Sequence, residues 1–270
     1  MKLISICPSN TELVHYLGLT DQLIAVDDYS DWPNEVKQLP RVGPDLNIDM
    51  DHVESLKPDL VLASLTVPGM EKNIDQLEKR GIPYKIVPNP KTFADIGYSL
   101  TLVGEWTNVR EQAIKVKEKY FNIIEQYKEL SKNVQHPKQL YWEWWPKPIF
   151  TPGRANWLTE MSDLAGGQNV FATYKEASVQ TDWEEVIEKN PDVVCLVWVG
   201  VQQDKVKTDI VRKRQQSGDV KAISHNEIYV LEEPFFCRPS PRLLIGLMKI
   251  AHLLHPHIYP KYEEGYDPLK

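Results

Sequence analysis

Aromatic and arginine side chains in turn-rich segments are the residues of this sequence best suited to chemistry, and that chemistry is ligand binding. The segments are DYSDWP, FTPGR and PFFCRPSPR, and each follows a predicted strand, where α/β folds bind their ligands. Aromatic rings bury flat apolar surfaces, and a few polar groups orient a ligand. The candidate residues are Tyr29, Trp32, Phe150, Arg154, Phe235, Phe236, Arg238 and Arg242.

Tryptophan is concentrated in QLYWEWWPKPIFTPGRANW, residues 139–157, which holds four of the eight tryptophans in the chain. Residues 139–145 read as a strand, so alternate side chains point to opposite faces: Tyr141, Glu143 and Trp145 to one, Trp142 and Trp144 to the other. One face must be core. We predict that the end of the strand, with Trp145 and Phe150, faces a cleft, where Trp32 opposes it.

Catalytic and cofactor motifs are missing. GxGxxG, Walker, GxSxG, HExxH and paired CxxC patterns do not occur, and the carboxylates form no evident acid–base couple. His252, His255 and His257 in HLLHPH could ligate a metal, but histidines also suit a helix C-terminus, whose dipole favours positive charge. We prefer the second interpretation and predict no enzymatic activity, no resident cofactor and no metal site.

The composition, with 42% hydrophobic and 26% charged residues, is that of an ordinary globular protein. A formal charge of −7 gives no support to nucleic-acid binding, which usually leaves a basic footprint. The longest apolar run, residues 193–201, is about half of what a bilayer needs, so we predict no membrane insertion. We expect a monomer.

The N-terminus and the cysteines bear on the compartment. MKLISICPSN has neither the long apolar region of a signal peptide nor a small residue before its cysteine. As written, the chain is predicted to stay in the cytoplasm. Three widely spaced cysteines, Cys7, Cys195 and Cys237, do not form a disulfide framework.

Alternating strand and helix patterns predict an α/β fold with parallel sheets flanked by helices. From Glu105 to Gln135 there is no glycine or proline, and apolar residues recur at helical spacing. Such a helix would reach roughly 40 Å and act as a rigid strut. We therefore predict an N-terminal lobe over residues 1–104, a connecting helix over 105–136 and a C-terminal lobe over 137–270.

An internal repeat supports two related lobes. Five residues recur at an offset of 133 positions, as between Asp49 and Asp182: Asp49, Val53, Pro58, Asp59 and Val61 reappear as Asp182, Val186, Pro191, Asp192 and Val194. The same unit of helix, Pro-Asp joint and strand therefore occurs once on each side of the predicted helix.

Several segments are characteristic as a set: SNTELVHYLGL, DYSDWP, DHVESLKPDLVLA, the long central helix, PIFTPG, LAGGQNVF and RPSPRL. With these, nearly the whole chain resembles the class III, helical-backbone substrate-binding proteins of ABC importers, most closely their vitamin B12-binding branch. The resemblance implies two Rossmann-like lobes joined by a rigid helix, with a bulky ligand between them: a corrinoid, haem or an iron–siderophore. It also implies an ABC transporter permease as partner.

The resemblance further implies roles for individual residues. Tyr29 and Phe150 match aromatic residues that line the corrinoid cleft, and Asp51 and Glu184 match surface carboxylates that dock on transporter arginines. The chain departs from the branch at two positions, since Ser64 and Ser178 stand where tryptophans often occur. Family members normally work outside the cytoplasmic membrane, which differs from the compartment that the N-terminus predicts. We expect Trp32, Trp144 or Trp145 to replace the missing stacking surfaces.

Our leading hypothesis is non-catalytic binding of a bulky planar or chelated ligand, cobalamin first and haem or an iron–siderophore next, with Ser9 and Arg238 setting its orientation. A second hypothesis is a two-lobed enzyme such as a chelatase or a sugar-nucleotide transferase. It would need a phosphate-binding glycine loop or an acid–base pair. A third is a structural or regulatory protein, whose cleft between the lobes would be collapsed.

Overall fold

A computed structural model describes all 270 residues of the chain. The strands are β1 (Leu3–Ser5), β2 (Leu23–Val26), β3 (Leu60–Ala63), β4 (Tyr84–Ile86), β5 (Lys138–Glu143), β6 (Trp145–Pro146), β7 (Ile149–Pro152), β8 (Gly167–Asn169), β9 (Ser178–Thr181), β10 (Val193–Leu196) and β11 (Ile228–Val230). The α-helices are α1 (Pro8–Tyr16), α2 (Met50–Leu56), α3 (Glu71–Lys79), α4 (Phe93–Trp106), α5 (Arg110–Ser131), α6 (Trp157–Leu164), α7 (Trp183–Lys189), α8 (Asp209–Arg212), α9 (Lys221–Ser224), α10 (Glu233–Phe236) and α11 (Leu243–Leu254). Short 3₁₀ turns cover Thr20–Gln22, Asn34–Gln38, Gln203–Lys205 and Ser217–Asp219.

Two parallel four-stranded sheets confirm the predicted α/β fold with two lobes. The first has the order β2-β1-β3-β4, and the second has the order β8-β5-β10-β11. Both faces of these sheets are covered, as parallel sheets require, so several strands are buried along their whole length. No helix of the structure combines the length and the apolar character that a membrane span requires.

The two lobes share one central hydrophobic core. Leu3 and Leu62 of the first sheet point into it, and so do Trp142 and Cys195 of the second. Their strand neighbours point to the opposite faces, where each lobe has a smaller core of its own. Because the central core is continuous, the lobes do not pack as independent units.

The predicted repeat is confirmed in atomic detail. Asp49 caps the N-terminus of α2, and Asp182 caps that of α7; each carboxylate accepts a hydrogen bond from the backbone N–H three residues on, at 3.0 Å and 2.9 Å. Each helix ends at a residue in the left-handed conformation, Lys57 with φ +49° and Asn190 with φ +43°.

The carboxylates of the two Pro-Asp joints also have equivalent roles. Asp59 accepts from the backbone N–H of Lys2 at 2.7 Å, and Asp192 accepts from that of Gln139 at 2.9 Å. Each aspartate thereby links the start of its strand to the neighbouring strand of the same sheet, β1 in the first lobe and β5 in the second.

The predicted uninterrupted helix from residue 105 to 135 is wrong at its start. Helix α4 ends at Trp106, and α5 begins at Arg110, with Asn108 between them at φ +61°. Asparagine tolerates this left-handed conformation, so the break needs neither glycine nor proline. Helix α5 spans roughly 33 Å, and the apolar stripe predicted for it faces the central core.

Close packing of α4 against α5 fixes the connection between the lobes. A Cβ atom added at Gly104 would lie 2.3 Å from the Cβ of Ala113, and one at Gly97 would lie 2.5 Å from the ring of Phe121. The glycines therefore allow the two helix backbones to approach each other closely.

The predicted strand 139–145 is wrong at its end. Strand β5 pairs with β10 only as far as Glu143, and the backbone N–H of Trp144 then donates to the carbonyl of Phe150 at 3.0 Å. The chain leaves the parallel sheet here and enters a small antiparallel sheet with the order β6-β7-β9. The alternation of faces along β5 consequently does not extend to Trp145.

Candidate ligand-binding cleft

A cleft of about 890 Å³ lies between the two lobes. Its volume is at the upper end of the roughly 300–1,000 Å³ that small-molecule sites occupy. The loops that follow β1, β2, β3 and β4 line it from the first lobe, and the segments after β5, β10 and β11 line it from the second. The carboxyl ends of the strands of both sheets therefore meet at this cleft, which is where open α/β sheets bind ligands.

The first-lobe wall includes Ser9, at the start of α1, and Tyr29, in the loop after β2. The Ser9 hydroxyl lies 3.2 Å from the sulfur of Cys7, which also lines the cleft. The Tyr29 side chain is 54% exposed, so a broad aromatic surface and a phenol are available to a ligand.

A buried carboxylate holds the loop that carries Tyr29. Asp27 accepts hydrogen bonds from the Tyr29 backbone N–H and the Ser30 hydroxyl, and Arg41 donates to the carbonyls of Asp27 and Ser30 at 2.8 Å and 2.6 Å. Desolvation by burial raises the pKa of Asp27 to about 6, although these two hydrogen bonds to its carboxylate act in the opposite direction.

The second-lobe wall is formed in part by Trp144 and Trp157, whose rings meet edge to face with centroids 5.6 Å apart. The Trp157 indole donates to the carbonyl of Phe236 at 2.7 Å, which fixes its orientation. The indole nitrogen of Trp144 is buried and has no hydrogen-bond partner. Trp144 is held instead by its backbone, between Phe150 and Val199.

Arg238 lies in the cleft between carboxylates of both lobes. Its guanidinium is 2.5 Å from Asp31, 3.0 Å from Glu233 and 3.4 Å from Glu12. Burial acts to raise the pKa of Asp31, but Arg238 outweighs it and holds this pKa below its ordinary value. For Glu233, burial prevails over Arg238, and the pKa is raised.

Of the predicted ligand-binding residues, Ser9, Tyr29 and Arg238 line the cleft. The structure places Trp32, Trp145, Phe150 and Phe236 outside its lining.

Trp32 does not oppose the second lobe across the cleft. Its ring packs against His15, with centroids 4.4 Å apart, and the guanidinium carbon of Arg242 lies 4.4 Å from its centre. The DYSDWP loop turns Asp31 into the cleft and directs the next residue into the interface between the lobes.

Trp145 and Phe150 face each other as partners in the small antiparallel sheet. Trp145 is 42% exposed, and its indole donates to the carbonyl of Lys147 at 3.1 Å. Because β5 ends before Trp144, the turn into the hairpin brings Trp144 to the cleft and carries Trp145 away from it. Trp144, and not the predicted Trp145, therefore lines the cleft.

Phe236 is a core residue. It is fully buried, and its ring lies 5.9 Å from that of Trp142 in the central core. The short helix α10 turns this ring inward, whereas Glu233 and Cys237 from the same segment line the cleft.

Sequence reasoning did not find Asp28, Asp45, Trp157 or the segment Asn89–Lys91, all of which line the cleft. Their position in the sequence could have indicated them, since most of them follow a predicted strand, where α/β folds bind ligands. Of the two positions where the resemblance led us to expect tryptophan, Ser178 lines the cleft, whereas Ser64 lies behind Thr66 and donates to its hydroxyl at 3.2 Å.

Asp51 and Glu184, the predicted docking carboxylates, occupy equivalent positions in the first turns of α2 and α7. Both are exposed. Asp51 forms a surface ion pair with Arg80 at 2.6 Å, and Glu184 forms none.

Two of the three histidines of HLLHPH have structural partners in the second lobe, and His257 is exposed. His252 Nδ1 lies 3.0 Å from the carbonyl of Tyr259, and His255 Nε2 lies 2.8 Å from that of Gly166. Neither residue lines the cleft.

Comparison with known proteins identifies the family. Residues 3–234 match the model of the periplasmic binding protein family. The chain is 31% identical over 264 residues to an uncharacterized ABC transporter substrate-binding lipoprotein, YvrC of Bacillus subtilis, which covers 96% of this chain and 81% of the relative. It is 28% identical over 250 residues to a vitamin B12-binding protein of Yersinia pestis, with 93% and 85% covered.

A solved structure of the same fold is the haem-binding protein RhuT from Roseiflexus. It superposes with a TM-score of 0.82 at 20% identity and covers 94% of this chain and 98% of its own. The family match extends over most of the chain, from β1 to the segment after β11 that carries the cleft residues. The chain therefore belongs to the periplasmic binding protein family and is a non-catalytic binding protein.

Proposed function

We propose that this protein binds a corrinoid, cobalamin first, in the cleft between its lobes and delivers it to an ABC importer. The observation that carries the proposal is the cleft of about 890 Å³ with aromatic surfaces on both sides, Tyr29 from the first lobe and Trp144 and Trp157 from the second. Burial of a large flat ligand between such surfaces supplies affinity without a catalytic group. The vitamin B12-binding relative supports the same ligand class.

The relatives also support a proposal for the compartment and the partner. The substrate-binding relative from Bacillus subtilis is a lipoprotein of an ABC transporter. We infer that this chain also works outside the cytoplasmic membrane and that Asp51 and Glu184 provide one docking carboxylate per lobe. Their equivalent positions in the two halves suit a transporter that receives both lobes with related surfaces.

Titration with cyanocobalamin tests the proposal. A ligand against Trp144 and Trp157 should quench tryptophan emission beyond the loss that its own absorbance causes, and native mass spectrometry should detect a one-to-one complex. The matched control is Trp145→Phe, because this indole lies outside the cleft and its loss should leave the binding curve unchanged. Saturating cobalamin without quenching and without a complex would exclude the corrinoid.

Haem or an iron–siderophore is the second candidate, and the exposed phenol of Tyr29 is the observation that favours it. A tyrosine oxygen can ligate ferric haem iron, and the lining contains no histidine or methionine that could do so. Titration with ferric haem would then give a tyrosinate-type absorption spectrum that Tyr29→Phe abolishes. An unchanged spectrum in Tyr29→Phe would exclude Tyr29 as the iron ligand, and the absence of any spectral change on titration of the wild type would exclude haem.

A further inference from the structure

We propose that the cleft selects its ligand by charge: it favours cationic and neutral corrinoids and disfavours anionic chelates. The inference rests on the proposed function and specifies which members of the ligand class the site accepts. The inference is drawn from the charged side chains of the cleft wall, from the ion pairs they form, and from the low exposure of Arg238, the less exposed cation of the lining.

Negative charge predominates in the lining. The carboxylates are Asp28, Asp31, Asp45, Glu232 and Glu233, and the cationic side chains are Lys91 and Arg238. A cleft lined mainly by one sign of charge concentrates the electrostatic potential and attracts ligands of the opposite sign. An anionic ligand would meet this potential as a barrier.

Arg238 is not available as an anion receptor. It is bonded to Asp31 and Glu233 in the lining and to the buried Glu12 behind them. An anionic group that took its place on Arg238 would have to displace one of these carboxylates. The displaced carboxylate would then stand uncompensated beside the ligand, so the exchange gains nothing.

Two lining carboxylates have no ion pair. Neither Asp28 nor Asp45 lies within salt-bridge distance of a cation, whereas Glu232 is paired with Lys249. Asp45 is half-buried, and this desolvation raises its pKa, as burial does when no cation compensates it. A cationic ligand would supply the missing positive charge.

Lys91 is the one lining cation without a carboxylate partner, and it is exposed. A single exposed ammonium is strongly hydrated and screened by salt, so it contributes little to holding an anion. The positive charge of Lys91 therefore does not neutralise the negative charges of Asp28 and Asp45.

Cobinamides that share one ring and differ in axial ligands test the inference directly. Dicyanocobinamide, kept in excess cyanide, carries no net charge, aquacyanocobinamide carries one positive charge, and diaquacobinamide carries two while both bound waters remain protonated. The dissociation constant at low ionic strength should fall about fivefold with each added charge, and the differences should shrink at high salt. Their visible spectra must stay unchanged on binding, because ligation of cobalt by Cys7 or Cys237 in the lining would shift them.

Charge-neutral variants identify the responsible groups. Asp28→Asn combined with Asp45→Asn should reduce the preference for diaquacobinamide over dicyanocobinamide at least about fivefold. Glu111→Gln combined with Glu118→Gln is the matched control, since both are exposed carboxylates of α5 outside the lining and without an ion pair. This control should keep the full preference.

The outcomes separate the inference from the proposed function. Equal affinities for all three cobinamides would overturn charge selection and leave corrinoid binding intact. If no corrinoid binds, the proposed function fails. Ferric haem is then compared, in matched detergent, with its dimethyl ester, which lacks the two negative propionate charges, and this comparison decides the inference. Tighter binding of the ester would support it, whereas tighter binding of the dicarboxylate, or no binding of either, would overturn it.

Discussion

Arg242 of the second lobe and Glu12 of the first form an ion pair of 2.8 Å that is buried between the lobes. The Ser240 hydroxyl donates to the same carboxylate, and the ring of Trp32 lies against the Arg242 guanidinium. The lobes are thus joined behind the cleft wall by charges as well as by helix α5.

Replacing Glu12 by glutamine should destabilise the protein by about 3–5 kcal/mol, because it leaves Arg242 as a buried charge without its partner. Urea unfolding measures the loss. Glu125→Gln breaks an exposed ion pair with Lys128 and should change the free energy of unfolding by about 1 kcal/mol or less. Equal effects of the two substitutions would show that the buried pair is not structural.

The tryptophans of the 142–145 segment should differ in their roles, one in ligand binding and another in stability. Trp144→Ala should weaken ligand binding by about 1–3 kcal/mol, as expected for an aromatic anchor in a cleft. Trp142→Ala should instead cost about 3–5 kcal/mol of stability, since this side chain is fully buried in the central core. Ligand titration and thermal unfolding measure the two effects. Trp145→Ala should alter neither strongly, and a binding defect in this variant would contradict the assignment.

Stability should decline with rising pH through Asp27. Burial raises its pKa from 3.8 in the unfolded chain to about 6 in the folded protein. Between these values the folded state holds a proton that the unfolded state has lost, and above them the folded state must hold a buried charge. The cost is absent below about pH 4 and complete above about pH 6, where it reaches about 3 kcal/mol at most. Asp27→Asn, which keeps one acceptor oxygen, should gain stability relative to the wild type across this interval in urea unfolding. A difference that stays constant with pH would contradict the mechanism.

Ligand binding should cause little closure of the lobes. The continuous central core, the unbroken helix α5 and the Arg242–Glu12 pair leave no evident hinge between them. Solution X-ray scattering should give the same radius of gyration with and without ligand. A clear decrease on binding would show that the interface between the lobes rearranges.

Reversal of Asp51 and Glu184 to lysine should abolish association with the importer and leave ligand affinity intact. Both carboxylates are exposed, so the double variant should lose no more than about 1 kcal/mol of stability. Co-purification with the importer for the same ligand measures the effect. Reversal of Glu118 and Glu125 on α5 changes the net charge equally and should keep association, and its loss there would indicate a general charge effect.

The sequence by itself determined the features that depend on neighbouring residues. The caps Asp49 and Asp182 act within a few residues of their own positions, so the repeat was readable from the chain. The apolar stripe of α5 is likewise set by helical periodicity. Alternation of helices and strands predicted the two parallel sheets, and the positions after the strands predicted where Ser9, Tyr29 and Arg238 would meet.

Tertiary structure decided which aromatic side chains face the cleft. The ring of Trp32 packs against Arg242, and the ring of Phe236 packs against Trp142. Each partner lies far away in the sequence. Trp144 reaches the cleft because pairing with β10 ends at Glu143, which no local pattern indicates. The physical reason is that periodicity assigns a side chain to a face only while its element continues. Where an element ends, and what covers each face, depends on contacts between distant segments.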